Sequence, residues 1–221
     1  MKFAAFVLVL CSAFAFAQGT DPNASQTPTS ENTQKKDKTK TRDTLTESLP
    51  ASSLHKGAWD FGVWGQGGHS VSGGVTHTGV FDAGFRLGKV LTGQHGSGPL
   101  RGNIEYAVDI IPIYVLSGPV NTAYGGSFNP FVAKWNFTGG KRFAPYAELA
   151  GGVLFTNTEV PFRTSNINFT SQFAVGTHIF TRENRSITLD VRYVHISNAG
   201  MTVPNPGINT VQFGIGYHWM K

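Results

Sequence analysis

The chain has 221 residues, a formal net charge of +5 and one cysteine, Cys11. A lone cysteine excludes a disulfide framework, and its place in an exported leader leaves the mature chain without thiol chemistry or a Cys-ligated metal. The basic excess does not indicate nucleic acid, because neither a recognition helix nor an aromatic RNA-binding motif accompanies it.

Met1-Lys2 opens a short basic region, Phe3 to Phe16 is almost wholly apolar, and Ala15-Phe16-Ala17 forms an A-x-A cleavage site. Residues 1–17 therefore read as a secretory signal peptide, too short for a transmembrane helix. A lipoprotein reading would acylate Cys11, but Leu10 before it is large and the apolar run continues after it. Export without disulfides suggests a bacterial envelope protein. Residues 18–55 are expected to form a disordered polar linker. From Gln18 to about Pro50 the chain is Thr, Ser, Asn, Lys and Asp, with too little apolar surface to offset its chain entropy. Its cluster Lys35, Lys36, Lys38, Lys40 and Arg42 fits either a solvated tail or contact with anionic head groups.

Residues 56–221 show no helical periodicity. Short alternating segments recur between Gly, Pro, Asn and Ser, the all-β pattern. The first starts at Trp59, Phe61 and Val63, and the second covers Val80 to Gly88. The third runs from Arg101 to about Leu116, and the fourth from about Ser127 to Phe137. The fifth spans Ala144 to Phe155 and the sixth Phe169 to Phe180. In the seventh, Ile187, Leu189, Val191 and Tyr193 alternate with Thr188, Asp190 and Arg192, and in the eighth Val211, Phe213, Ile215, Tyr217 and Trp219 share one face. Eight antiparallel strands make a barrel, either a soluble lipocalin-like cup or an outer-membrane barrel, according to which face is apolar.

Three features favour the membrane. The apolar faces have the length a tilted strand needs to cross the hydrocarbon, about 9–11 residues. Trp59, Trp64, Trp135, Tyr217 and Trp219 sit near strand ends, as interfacial girdles do. Arg86, Glu105, Asp109, Lys134, Glu148, Asp190 and Arg192 fall on the opposite face, where both signs can pair in a narrow lumen. The chain also closes on an aromatic alternating strand, as outer-membrane barrels do, although Met220-Lys221 stands in place of a terminal aromatic. The glycines Gly151-Gly152, Gly214 and Gly216 read as small residues that let strands bend or pack.

The seventh strand runs on into Val194-His195-Ile196-Ser197-Asn198-Ala199-Gly200, and then Pro204-Asn205-Pro206-Gly207-Ile208-Asn209. Side chains alternate with a period of two, so His195 and Ser197 continue the apolar face. The residues fit two readings: a strand leaving its buried zone at a turn, or a base beside a nucleophile. Positions i and i+2 lie about 7 Å apart, close enough for an imidazole to lean onto a hydroxyl. Asn209 has the matching parity on the eighth strand, so folding about the Gly200–Gly207 region brings it across from His195. In an even-stranded barrel both termini face the periplasm, which puts His195 and Ser197 at the outer end, facing the lipopolysaccharide leaflet.

At these residues the sequence resembles the lipid A deacylases of the PagL type, also called acyloxyacyl hydrolases. The resemblance rests on His195-x-Ser197-Asn198-Ala199-Gly200 and Pro204-Asn205-x-Gly207-Ile208; its motif covers residues 192–209 and its architecture the whole barrel. It implies an eight-stranded barrel that cleaves the ester-linked acyl group at the 3-position of lipid A, without cofactor. Carried over by residue, Ser197 is the nucleophile and His195 the general base. The Gly200 N–H and the Asn205 side chain are candidate oxyanion donors, with Asn198 in support. One position departs: where the best-known members of the family carry a Glu that orients the His, this chain has Asn209. An amide can hold an imidazole through its carbonyl, as in Cys-His-Asn enzymes, but brings no full charge.

His69, His77 and His95 fall in expected loops, no HExxH spacing occurs, and no metal is expected. No G-x-S-x-G elbow, Walker loop or dinucleotide fingerprint is present. The sequence thus points to an exported outer-membrane esterase whose partners are the membrane and lipid A. Its rivals are a non-catalytic barrel that binds lipopolysaccharide or only closes its last hairpin, and a soluble lipocalin-like binder. The choice between monomer and homodimer stays open.

Overall fold

The computed structural model describes residues 48–221; the expected signal peptide and the linker as far as residue 47 lie outside them. Eight strands follow in order: β1 Trp59–Val71, β2 Gly79–Val90, β3 Gly102–Ser117, β4 Thr122–Phe137, β5 Phe143–Thr156, β6 Ile167–Arg182, β7 Arg185–Ser197 and β8 Ile208–Met220. Each pairs antiparallel with its neighbour, and β8 returns to β1, so the sheet closes without an edge. The connections at the end opposite the termini are residues 72–78, 118–121, 157–166 and 198–207. They are the outer loops of a barrel whose termini face the periplasm.

Sidedness decides between the two barrel types. Phe81, Phe85, Leu87, Ile110, Ile113, Phe131, Leu149, Phe173, Leu189, Phe213 and Ile215 are all exposed on the outer wall. Their strand neighbours Asp82, Arg86, Asp109, Lys134, Glu148 and Gln212 are buried inside. An apolar wall around a charged interior is the pattern of a membrane barrel, and it rules out the lipocalin-like cup. No described helix is long and apolar enough to cross a membrane; the strands cross instead.

The interior charges pair as their parity predicts. Arg86 donates to both oxygens of Asp109 at 2.8 Å and to both oxygens of Glu148 at 2.5 and 3.0 Å. Glu148 also meets Arg192 at 2.9 Å, and Lys134 meets Glu105 at 2.9 Å and Asp60 at 3.4 Å. Asp60, His178 and His218 join this interior, with His218 Nδ1 2.9 Å from Asp60 and His178 3.2 Å from Lys134. Glu148 is the carboxylate between two guanidinium groups, so Glu148→Gln leaves buried positive charge uncompensated. Removing one partner of such a pair costs about 3–5 kcal/mol. The variant barrel should unfold at a lower temperature in a gel-shift or calorimetric melt.

Apolar clusters close both ends of this charged layer. Val80, Ile111, Leu116, Leu154, Val194, Ile196 and Ile208 pack at the outer end, and Leu54, Ala58, Val90, Ala144, Phe180 and Met220 at the periplasmic end. The second cluster includes a segment expected to be linker. Residues 48–55 instead carry a helix, α1 Leu49–Ser53, capped by the Ser48 hydroxyl and started by Pro50. Pro50, Ala51, Ser53 and Leu54 are buried, and Asn184 N–H donates to the Ser53 hydroxyl. The apolar residues of a short LPASSL stretch thus find a pocket in the barrel floor, which composition averaged over a longer segment conceals.

Two other expectations are corrected. Trp64 is not part of an interfacial girdle: it shares parity with Asp60 and Gln66 and packs inward against the outer-end cluster. His69 lies on β1 rather than in a loop. The remaining aromatics do form a belt near the periplasmic end, where Phe61 stacks on Trp219 at 6.1 Å and on Trp59 at 6.5 Å.

Candidate active site

β7 turns its odd positions outward: Leu189, Val191 and Tyr193 are exposed, while Arg192, Val194 and Ile196 are buried inside. His195 and Ser197 follow on the outer wall and are half-buried. The β7–β8 register pairs His195 with Asn209, and the β8–β1 register pairs Asn209 with Val71. Three outward side chains from two adjacent strands therefore meet at the outer rim.

Their hydrogen bonds run in one line. His195 Nε2 lies 3.0 Å from the Ser197 hydroxyl, and His195 Nδ1 lies 2.6 Å from Asn209 Oδ1. The Asn209 amide nitrogen donates to the Ser72 carbonyl at 3.4 Å. A carbonyl can only accept, so it turns the Asn209 NH2 toward itself and leaves Oδ1 for the ring. An Oδ1 acceptor in turn requires the proton on Nδ1, which leaves the Nε2 lone pair facing the Ser197 hydroxyl. A backbone oxygen in the first outer loop thereby fixes the tautomer of the histidine, a contribution that no side-chain pattern signals.

Glycine makes this approach possible. Gly73 has φ +104°, and a Cβ there would come within 2.7 Å of the Asn209 amide nitrogen. Gly207 has φ +66°, and its Cβ would lie 3.0 Å from His195 Cε1. Left-handed backbone with no room for a side chain is glycine's niche. The first loop is tied down beside them by Val75 N–H donating to the Gly207 carbonyl at 2.9 Å.

The other expected residues build the fourth outer loop. The Asn198 side chain accepts from Gly200 N–H at 2.9 Å and donates to the Thr202 hydroxyl at 2.6 Å. Asn205 Oδ1 accepts from Asn198 N–H at 3.2 Å. The Gly200 N–H expected to face an oxyanion is therefore engaged within the loop, because Asn198 bends back over it. Asn205 is exposed and only its oxygen is engaged by this bond, so its NH2 remains available as a donor. Thr202 donates to the Thr164 carbonyl at 3.1 Å and joins this loop to the third.

Among the described residues no cluster of His, Cys, Asp or Glu could hold a metal ion. An apolar cavity of about 240 Å³ opens between Leu116, Val160, Phe162 and Ile208. It lies within the barrel mouth, whereas Ser197 points outward, so it is not part of the site.

The fold and this geometry define an outer-membrane β-barrel that carries a serine–histidine–amide chain on its lipid-facing wall. Residues 59–218 match the family model for the lipid A 3-O-deacylases (PagL), and the chain belongs to that family of ester hydrolases. No curated protein sequence matches it. Among solved structures it is similar to the crystal structure of the outer membrane enzyme PagL, with TM-score 0.51 and 21% identity over 70% of this chain and 97% of that one. It is also similar to the N-terminal β-barrel domain of OprF from Pseudomonas aeruginosa, with TM-score 0.44 and 15% identity over 74% and 98% of the two chains. For OprG of the same organism the TM-score is 0.41 and the identity 12%, over 76% and 98%.

Proposed function

We propose that this protein is an outer-membrane esterase that removes the 3-O-linked acyl chain of lipid A by serine nucleophilic catalysis. The observation that carries the reading is His195 held between the Ser197 hydroxyl at 3.0 Å and Asn209 Oδ1 at 2.6 Å, on a wall that faces lipid. In the first step Ser197 Oγ attacks the ester carbonyl carbon and its proton passes to His195 Nε2. Collapse of the tetrahedral intermediate breaks the acyl C–O bond, and the imidazolium returns the proton to the sugar 3-oxygen. Water then attacks the acyl-enzyme, gives its proton to Nε2, and releases the fatty acid with Ser197 restored. The Asn205 NH2 supports the negative oxygen in each tetrahedral stage.

The wall beside Ser197 suits an acyl chain. The β5–β6–β7 registers set Ser197 beside Phe169 and Val153, His195 beside Ser171 and Gly151, and Tyr193 beside Phe173 and Leu149. Two small residues thus floor a trough between apolar rows that starts at the catalytic histidine. A Cβ at Gly151 would have its nearest neighbour, the Thr170 carbonyl, at 3.6 Å, so a larger side chain fits without displacing the backbone. Gly151→Phe should fill the trough and lower kcat/KM for lipopolysaccharide about tenfold, a typical size for lost apolar pocket contacts. Turnover of a short-chain ester should be unchanged, which separates loss of chain binding from damage to the triad.

A fluorophosphonate probe tests the nucleophile directly. It should add one phosphonyl group to folded wild-type protein at Ser197, mapped by peptide mass spectrometry, and none to Ser197→Ala. Failure to label a correctly folded barrel, or labelling at another residue, would favour a barrel that binds lipopolysaccharide without cleaving it.

A further inference from the structure

We propose that the periplasmic end of the outer wall carries a binding site for the head group of an anionic glycerophospholipid, formed by Lys89, Arg185 and Lys221 around Trp59, Phe61 and Trp219. The registers place these residues side by side. Trp59 pairs with Lys89 across β1 and β2, Arg185 pairs with Trp219 across β7 and β8, and Trp59 and Lys221 exchange backbone hydrogen bonds of 2.7 and 2.8 Å. Strand parity turns all of them outward: Lys89 follows exposed Phe85 and Leu87, and Arg185 precedes buried Ser186 and outward Ile187. The ammonium of Lys89 sits 4.7 Å from the Trp59 ring centroid, and the rings of Trp59, Phe61 and Trp219 form a continuous stacked surface. Cations standing above an aromatic floor at the edge of the hydrocarbon meet phosphate on one side and glycerol and acyl ester on the other.

The charge balance selects a net anionic head group. Arg101, Lys141, Arg142 and Arg182 extend the basic rim beyond the patch, and Glu183 is the one exposed carboxylate side chain at that end among the described residues. At the outer rim, among the described residues, the exposed Asp, Glu, Lys and Arg side chains are Glu159 and Arg163, one of each sign, so the basic field belongs to the periplasmic leaflet. Each cation near an anionic bilayer surface adds attraction that salt screens within about 10 Å.

The position gives the site a purpose. Arg185 and Ser197 are the two ends of β7, a strand of 13 residues. At about 3.3 Å per residue and a tilt of about 40°, that strand rises about 30 Å, the thickness of the hydrocarbon core. A head group held at Arg185 therefore sets the depth of the strand that bears His195 and Ser197. The inference rests on the membrane orientation of the barrel and not on the chemistry of Ser197.

Quenching of tryptophan by brominated lipids tests it, because Trp59 and Trp219 lie in the patch. The full chain is reconstituted in phosphatidylcholine bilayers, and brominated phosphatidylglycerol or brominated phosphatidylcholine is titrated in. Phosphatidylglycerol should quench with several-fold higher relative association, and 0.5 M salt should reduce the preference. The triple variant Lys89→Gln, Arg185→Gln, Lys221→Gln should lose it, while a control variant with Arg101, Lys141 and Arg142 changed to Gln should keep it. Heat-modified gel migration verifies that each variant is folded. Equal quenching of the wild type by both lipids would overturn the proposal. So would a preference that survives the triple variant and falls in the control, which would point to a periplasmic polyanion beneath the barrel.

Discussion

Ser197→Ala is expected to reduce fatty-acid release from lipopolysaccharide by at least about a thousandfold, with binding of the substrate unchanged. Removing the nucleophile of a serine–histidine triad leaves only what oxyanion donors and substrate binding supply. Ser197 is half-buried on the barrel wall and its hydroxyl makes its side-chain hydrogen bond to the half-buried His195, so its loss leaves no buried group unpaired. The variant barrel should keep its thermal stability. Parallel losses of activity and stability would mean that Ser197 acts by holding the rim together.

The second large effect concerns Asn209. Its carbonyl oxygen orients the imidazole at 2.6 Å and its NH2 is held by the Ser72 carbonyl. Asn209→Leu keeps the volume and removes both functions, so the ring loses the partner that fixes its tautomer. A fall in kcat of about a hundredfold to ten-thousandfold is expected, with KM nearly unchanged; a triad whose acid is altered to the wrong hydrogen-bond type loses about 10⁴. Asn209→Asp retains the acceptor and adds charge beside the imidazolium, but sets an oxygen against the Ser72 carbonyl. The lost contact is long, at 3.4 Å, so this variant should stay within about tenfold of the wild type. Steady-state kinetics of the two variants decide the matter. A fully active Asn209→Leu would show that the amide is not the third member of the triad.

The barrel is legible in the sequence because its physics is periodic. Strands apolar on one face and charged on the other announce themselves at a period of two, and Arg86, Asp109, Glu148 and Arg192 pair inside as that parity requires. The same rule places His195, Ser197 and Asn209 on one face, and only the register, fixed by a ten-residue outer loop, needs the structure. Where residue type is read instead of parity, the inference fails. Trp64 looks like a girdle residue until it is seen to share the inward parity of Asp60 and Gln66. Asp60 itself, between outward Trp59 and Phe61, is visible by parity as an interior polar residue, and so are His178 and His218.

Other parts of the site have no such period. The Ser72 carbonyl and the Gly200 N–H are backbone groups in loops, and their roles depend on where Asn209 and Asn198 turn. Glycines such as Gly73 and Gly207 are required by a close approach between segments far apart in sequence, which composition does not encode. The helix Leu49–Ser53 is similarly tertiary: five residues fold because the floor of the barrel covers them, not because they form a helix alone.

The central claim, that the outward serine cleaves lipid A, is tested most directly by mass spectrometry of lipid A incubated with the purified wild-type barrel. The expected spectrum shows loss of one 3-hydroxyacyl group, with phosphates and other acyl chains intact, and Ser197→Ala leaves the lipid unchanged. An unaltered spectrum from a folded wild-type barrel across several lipid A donors, or deacylation that persists in Ser197→Ala, would contradict it.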